Sequence, residues 1–215
     1  MTNRTSFIID GFNLYHSVRQ ASHDLGLGER GTRWLDLRAL CSSYLYVIGG
    51  GAQLVNIFYF SALAAHLEAV KPHVTQRHRL YVRAIESTGV IAEMSRFKAK
   101  EIRCPFCGKM NIRHEEKETD VAIAAKLFEI FATDACDTAV LVTGDTDVAP
   151  AVRTAARLFP GKRVCFAFPY QRKNKELAQL VKTCFHLRKE AYAKHQLPDP
   201  VVLPDGTSLA KPPAW

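Results

Sequence analysis

The stretch Ala139-Val140-Leu141-Val142-Thr143-Gly144-Asp145-Thr146-Asp147-Val148 decides the fold. An unbroken apolar and β-branched run ends in a Gly-Asp-Thr-Asp turn, and helical spacing follows at once. That is the signature of a buried strand delivering two carboxylates to its carboxyl end.

Working outward, short β-branched or aromatic runs alternate with helical stretches, the pattern of a parallel sheet flanked by helices. Phe7-Ile8-Ile9 reads as a first strand ending at Asp10, Leu54–Phe60 as a second, Val90–Met94 as a short extended segment and Arg163–Phe168 as the last strand. Asp36 is placed to cap a helix running to about Tyr46, with Leu37, Leu40, Cys41 and Tyr44 on one face before the glycines at 49–51. Further helices are expected over His73–Ser87, from Thr119 (Val121, Ala124, Leu127, Phe128 and Phe131 at helical spacing), after Asp147, and over Lys173–Cys184. Arg96–Lys117 lacks an amphipathic period and is expected as an insertion outside the core. The proline-rich tail, 197–215, is expected outside it too.

Length and composition bound the answer. A chain of 215 residues holds one α/β domain and a short appendage, and 47% hydrophobic with 23% charged residues is ordinary for a soluble protein. No apolar run approaches the roughly 18 residues of a membrane span, and Met1–Asp10 has no signal-peptide pattern. A cytoplasmic protein with no membrane partner is expected. The net charge of +8 is concentrated in three stretches: Leu158–Lys175 and Lys71–Arg83, both without acids, and Arg96–Lys117, with seven Lys or Arg against Glu101, Glu115 and Glu116. Each read alone is as readily a solvated face as a polyanion site. Together, and beside a carboxylate cluster, they favour nucleic acid through Coulomb attraction and counterion release.

The candidate site follows from strand ends, because ligands of a parallel α/β sheet bind at the carboxyl edge. Asp10, Asp145 and Asp147 fall there, and Asp120 lies in the first turn of the helix preceding the Ala139–Thr143 strand. Each acid alone is equally well a helix cap, a favourable charge at a helix start or a turn residue. Converging, they would repel one another unless a cation lay between them. Oxygen-only ligands suit Mg²⁺ or Mn²⁺, and such ions beside basic surface suit phosphodiester hydrolysis.

Three motifs carrying these acids resemble the NYN domain family of the PIN-like nucleases. They are Asp10-Gly11-Phe12-Asn13-Leu14, Lys117-Glu118-Thr119-Asp120-Val121 and Thr143-Gly144-Asp145-Thr146-Asp147-Val148, in the family's order. The resemblance implies a PIN-like three-layer α/β/α sandwich over residues 5–190, its sheet mainly parallel, to which the residues themselves add the small Cys-x-x-Cys insertion at about 96–117. It also implies a Mg²⁺- or Mn²⁺-dependent endoribonuclease with Asp10, Asp120, Asp145 and Asp147 as metal-binding acids and Asn13 beside the metal or substrate phosphate. Lys117 would touch a phosphate or be merely solvated, and Arg172 and Lys173 would grip the RNA backbone. In-line attack by water would leave a 5′-phosphate and a 3′-hydroxyl.

Two rivals come from other classes. One is a non-catalytic RNA-binding or regulatory module of the same fold. The other is a phosphatase of small phosphoesters, which would need no extended basic surface.

The six cysteines do not imply disulfides in a cytosolic chain. Cys41, Cys136, Cys165 and Cys184 have apolar neighbours and read as small buried side chains. Cys104-Pro105-Phe106-Cys107-Gly108-Lys109 instead reads as half of a zinc knuckle. His114 is the nearest third ligand in sequence. His78, Cys41 or a second subunit in a homo-oligomer are sources of a fourth. A redox pair and simple reduced thiols are the alternatives.

Overall fold

The computed structural model describes residues 2–28 and 31–215, apart from the side chains at 113, 115 and 116. The elements are β1 (Asn3–Asp10), α1 (Gly11–Asp24), α2 (Leu37–Ser43), α3 (Leu45–Ile48), β2 (Ala52–Leu63), α4 (Pro72–Glu86), β3 (Ile91–Arg103), β4 (Met110–Lys117) and α5 (Thr119–Ala132). They continue with β5 (Thr138–Val142), α6 (Ala149–Leu158), β6 (Arg163–Phe168), α7 (Lys175–Leu180), β7 (Cys184–His186), α8 (Lys189–Lys194), β8 (Val201–Val202) and β9 (Ser208–Leu209).

Among the described residues the central sheet has seven strands in the order β4-β3-β2-β1-β5-β6-β7, parallel except for the β3–β4 pair. The α/β sandwich expected from the alternating pattern is present. Its strands alternate between two cores, as the period of two in a strand dictates. Phe7 and Ile9 of β1 join Leu14 and Val18 of α1, Leu40 of α2, Ile85 of α4 and Tyr192 of α8 on one face. Ile8 joins Leu127 of α5, Val152 of α6 and Leu177 of α7 on the other.

Several expectations are corrected. The helix α1 was not anticipated. Its buried residues Leu14, Ser17, Val18 and Ala21 form one stripe, but polar residues thin its apolar signal. The helix expected over Lys173–Cys184 stops at Leu180, because Cys184–His186 leaves it to pair with β6. Cys184 is accordingly exposed, whereas Cys41, Cys136 and Cys165 are buried as expected. Arg96–Lys117 is not a separate loop: β3 continues through Arg103 and turns at Cys104–Lys109 into β4, so the segment is the edge hairpin of the main sheet. Both faces of that hairpin are largely exposed, which removes the alternation that would have marked it as strand.

The tail also packs. Leu197, Val201 and Leu209 are buried in the first core, and β8 pairs with β9. Trp34 is fully buried; its Nε1 donates to the Pro198 carbonyl at 3.0 Å and its ring meets Trp215 edge-on at 6.3 Å. These isolated anchors, spaced by prolines, have no period that a sequence pattern can display. Replacement of Leu209 by Ala is expected to cost about 2–4 kcal/mol, read as a lower urea midpoint at unchanged slope. An unchanged midpoint would mean that the tail contributes nothing to the core.

Candidate functional site

Strand order locates the crevice. From β1 the chain passes outward through β2 and β3, and from β5 outward through β6 and β7, so β1 and β5 flank the topological switch point. At such a point the flanking connections diverge and leave an opening at the carboxyl ends. Asp10 ends β1, Asp145 and Asp147 follow β5, and Asp120 sits at the start of α5, which runs back from that same edge.

Local hydrogen bonds fix the acids. Asp10 is buried, with a relative exposure of 6%. Its Oδ1 accepts from the Asn13 amide at 2.9 Å, which caps α1, and its Oδ2 accepts from Thr143 Oγ1 at 2.9 Å. Thr143 Oγ1 also accepts from the Asp145 amide at 3.1 Å, and Asp145 Oδ1 accepts from the Asp147 amide at 3.1 Å. Asp145 thus caps the short 3-10 turn Thr146–Val148 that leads into α6.

The Asn13 side chain bridges the two strand ends, its Oδ1 accepting from the Gly144 amide at 3.2 Å. Asn174, at the N-cap of α7, reaches the Gly144 carbonyl at 3.4 Å. Gly144 is required here: a Cβ would lie 2.1 Å from the Arg172 carbonyl oxygen, a contact with backbone that cannot swing away. Thr143 and Asn174 were not singled out from sequence. Thr143 immediately precedes the Gly-Asp-Thr-Asp turn and was legible there, whereas Asn174 lies about thirty residues away and had no local signal.

The acids sense one another. Asp120 is pushed up to about 6, first by burial and then by Asp145, Asp10 and Asp147. Among the described residues no group of three His, Cys, Asp or Glu side chains is already drawn together as a ligand set. The four acids therefore interact at Coulomb range without forming a closed cage. Their donor chemistry, oxygen throughout with Asp10 pre-oriented by Thr143 and Asn13, fits a hard divalent ion.

The basic residues separate in space. Arg172 faces α1: burial, then Arg172 and Arg19, hold the His16 imidazole below its usual range. These three line a polar crevice of about 920 Å³ that continues over Tyr170 and Gln171. Lys173 points instead toward the sheet edge, where it helps depress His186. Lys117 is exposed at the end of β4, immediately before α5.

Cys104 and Cys107 lie close together in the hairpin turn. The backbone N–H groups of Cys107 and Phe106, and then the Cys107 thiol, draw the Cys104 thiol below its usual range. The expected third ligand does not join them. His114 pairs with Ala99, four register steps from the Arg103–Met110 pair that closes the turn, so it stands about 13 Å along the strand. Its ring stacks on His66 at 3.9 Å. Cys41 is packed in the first core and His78 lies beside Ser61, so neither completes the set.

Asp120 makes the site pH-sensitive in a defined direction. Its folded-state pKa of about 6 exceeds its ordinary 3.8, so the fold loses stability as pH rises from about 4 through 6. In EDTA, Asp120→Asn is expected to melt like the parent near pH 4 and above it at pH 7.5. A mutant that melts below the parent at pH 7.5 would show that the carboxylate is not under repulsion.

A family model described as "NYN domain" matches residues 4–188. Among curated proteins, the chain is similar to 6-hydroxy-3-succinoylpyridine 3-monooxygenase HspA of Pseudomonas putida (strain DSM 28022 / S16), 26% identical over 247 residues, covering 99% of this chain and 75% of HspA. Among solved structures it is similar in fold to VPA0982 of Vibrio parahaemolyticus RIMD 2210633, a protein of unknown function. That match has a TM-score of 0.53 and 17% identity, over 87% of this chain and 94% of the other. The NYN match spans the sheet, the three acidic motifs and the hairpin, and the chain belongs to the NYN domain family of PIN-like nucleases.

Proposed function

We propose that the chain is a ribonuclease dependent on Mg²⁺ or Mn²⁺, hydrolysing phosphodiester bonds of RNA. The observation that carries this reading is the placement of Asp10, Asp120, Asp145 and Asp147 at the β1/β5 switch point, where Thr143 ties Asp10 to the Asp145 turn. A divalent ion held by these four acids would lower the pKa of a water molecule and neutralise charge on the phosphate. The chain's own groups do the positioning. Thr143 and the Asn13 amide hold the Asp10 carboxylate, the Asn13 side chain locks Gly144 against β1, and Asp145 orders the turn that presents Asp147. Arg172, whose carbonyl packs on Gly144, would meet the neighbouring phosphates, and Lys173 and the exposed Lys117 would extend that cationic surface. Incubation with mixed RNAs should give cleavage with Mn²⁺ and none with EDTA, and Asp145→Asn should lose at least about a hundredfold in rate while staying folded. Folded protein that binds RNA but never cuts it, with either ion, would favour a non-catalytic RNA-binding module.

A second reading, chemistry on a small heteroaromatic acid, draws on the name of HspA and on an aromatic-walled cavity beside Gly11. Loss of the pyridine substrate in a coupled assay, with RNA left intact, would favour it.

We propose in addition that Cys104 and Cys107 hold structural zinc. Two thiolates, one preset by N–H groups aimed at its sulfur, supply half of a tetrahedral shell. Because His114, Cys41 and His78 are elsewhere, the other half comes from a second copy of the turn. Elemental analysis is expected to find about one zinc per two chains, and Cys104→Ser should abolish both the metal and the dimer in sedimentation. A zinc-free dimer, or a monomer with a full equivalent of zinc, would overturn this arrangement.

A further inference from the structure

Between α1, the end of β2, α4 and the C-terminal residue lies a cavity of about 190 Å³. Gly11 and Phe12 form one wall, so it begins within two residues of Asp10. Gly11 permits this proximity: a Cβ there would lie 2.6 Å from the Tyr59 ring. The remaining walls are apolar, aliphatic side chains such as Leu14, Leu35 and Val74 alternating with aromatic ones. Tyr59 and Tyr81 meet edge-to-face at 6.2 Å, and Tyr81 and Trp215 at 5.7 Å.

A few polar groups interrupt these walls, the composition of a small-ligand site. Ser61 is buried and its Oγ lies 3.4 Å from His78 Nε2. Burial holds the His78 imidazole below its usual range, so near neutral pH it offers one donor and one acceptor. Arg33 and Arg77 also line the cavity. Arg33 donates through Nη1 to the Ala214 carbonyl at 2.9 Å, yet its Nε is out of solvent with no partner among the described residues. A buried donor left unpaired is costly, and a ligand acceptor would relieve that cost. Arg77 is half-buried and has no ion-pair partner among the described residues.

We infer that this cavity binds one planar heteroaromatic ring bearing an anionic group, and that the ring is a nucleobase of single-stranded RNA. The ring packs against Tyr59, Tyr81 and Trp215, its hydrogen-bonding edge meets Ser61 and His78, and Arg33 and Arg77 take the anion. Aromatic packing of unstacked bases is how single strands are commonly held. The assignment to RNA rests on the ribonuclease reading, because the cavity adjoins Asp10. The ring pocket itself does not.

Isothermal titration calorimetry tests it in EDTA, on both the parent and Asp145→Asn, so that binding is read apart from cleavage. The probes are adenosine 5′-monophosphate, uridine 5′-monophosphate, ribose 5-phosphate as a ring-free control, and pyridine-3-carboxylate as a free heteroaromatic acid. At least one nucleotide is expected to bind saturably while ribose 5-phosphate does not. Binding should weaken at least tenfold in Ala64→Trp, which fills the cavity mouth, and in Arg77→Gln, which keeps the cavity and removes the cation. Binding of pyridine-3-carboxylate with neither nucleotide overturns the RNA source. Absence of saturable binding by any ring, or equal binding by both variants with melting unchanged, overturns the pocket. If nucleotides bind but RNA is never cut, the pocket stands and the ribonuclease reading falls.

Discussion

Carboxylates brought to the ends of two neighbouring strands repel one another, and much of the local structure around β1 and β5 acts against that repulsion. Asp10 is buried, and a buried anion without hydrogen bonds would neutralise itself or unfold its surroundings. Thr143 Oγ1 and the Asn13 amide supply those bonds, and the Thr143 hydroxyl also accepts from Asp145. One hydroxyl therefore joins the two strand ends and sets the distance between the acids. Asp120, half-buried at the start of α5, is pushed up to about 6, first by burial and then by Asp145, Asp10 and Asp147.

The packing on either side preserves this geometry. Gly144 lets the Arg172 carbonyl close over the β5 turn, and Asn174 returns to the Gly144 carbonyl while capping α7. The β6–α7 connection is thereby pinned to the acid turn. The charge of Arg172 acts on His16 of α1, on the other side of that connection.

The strand-end acids were legible because a parallel strand and its turn are contiguous in sequence. Val140–Asp147 displays burial, termination and chemistry in one window. What was illegible depended on partners distant in sequence. Leu177, Leu180, Val181 and Cys184 keep a helical spacing, yet β6 offers an open edge that takes Cys184–His186 as a strand. Periodicity cannot register that competition. The β3–β4 hairpin buries too little to alternate, and the tail is held by single anchors such as Trp215, whose ring partners Trp34 and Tyr81 are more than a hundred residues away. His114 was linked to the cysteines by nearness in sequence, but the antiparallel register carries it away from the turn.

Charge shows the same separation between composition and placement. The +8 net charge suggested three cationic stretches, but many of those cations have structural partners. Lys162 and Arg4 together bind Asp134 and Asp137 at the amino-terminal edge of the sheet, opposite the acids. Arg96 and Lys98 share Glu118, and Arg79 holds Glu68. Exposed pairs of this kind contribute little stability each, but they do reduce the field that their stretch can project. Among the described residues Arg172 and Arg19 have no carboxylate partner and share one crevice with His16, at the side of α1 whose first residue follows Asp10. The charge that these pairs leave uncancelled therefore includes a crevice along α1, the helix that Asp10 caps. Local pairing, more than total charge, decides where the positive field of the chain is left uncancelled.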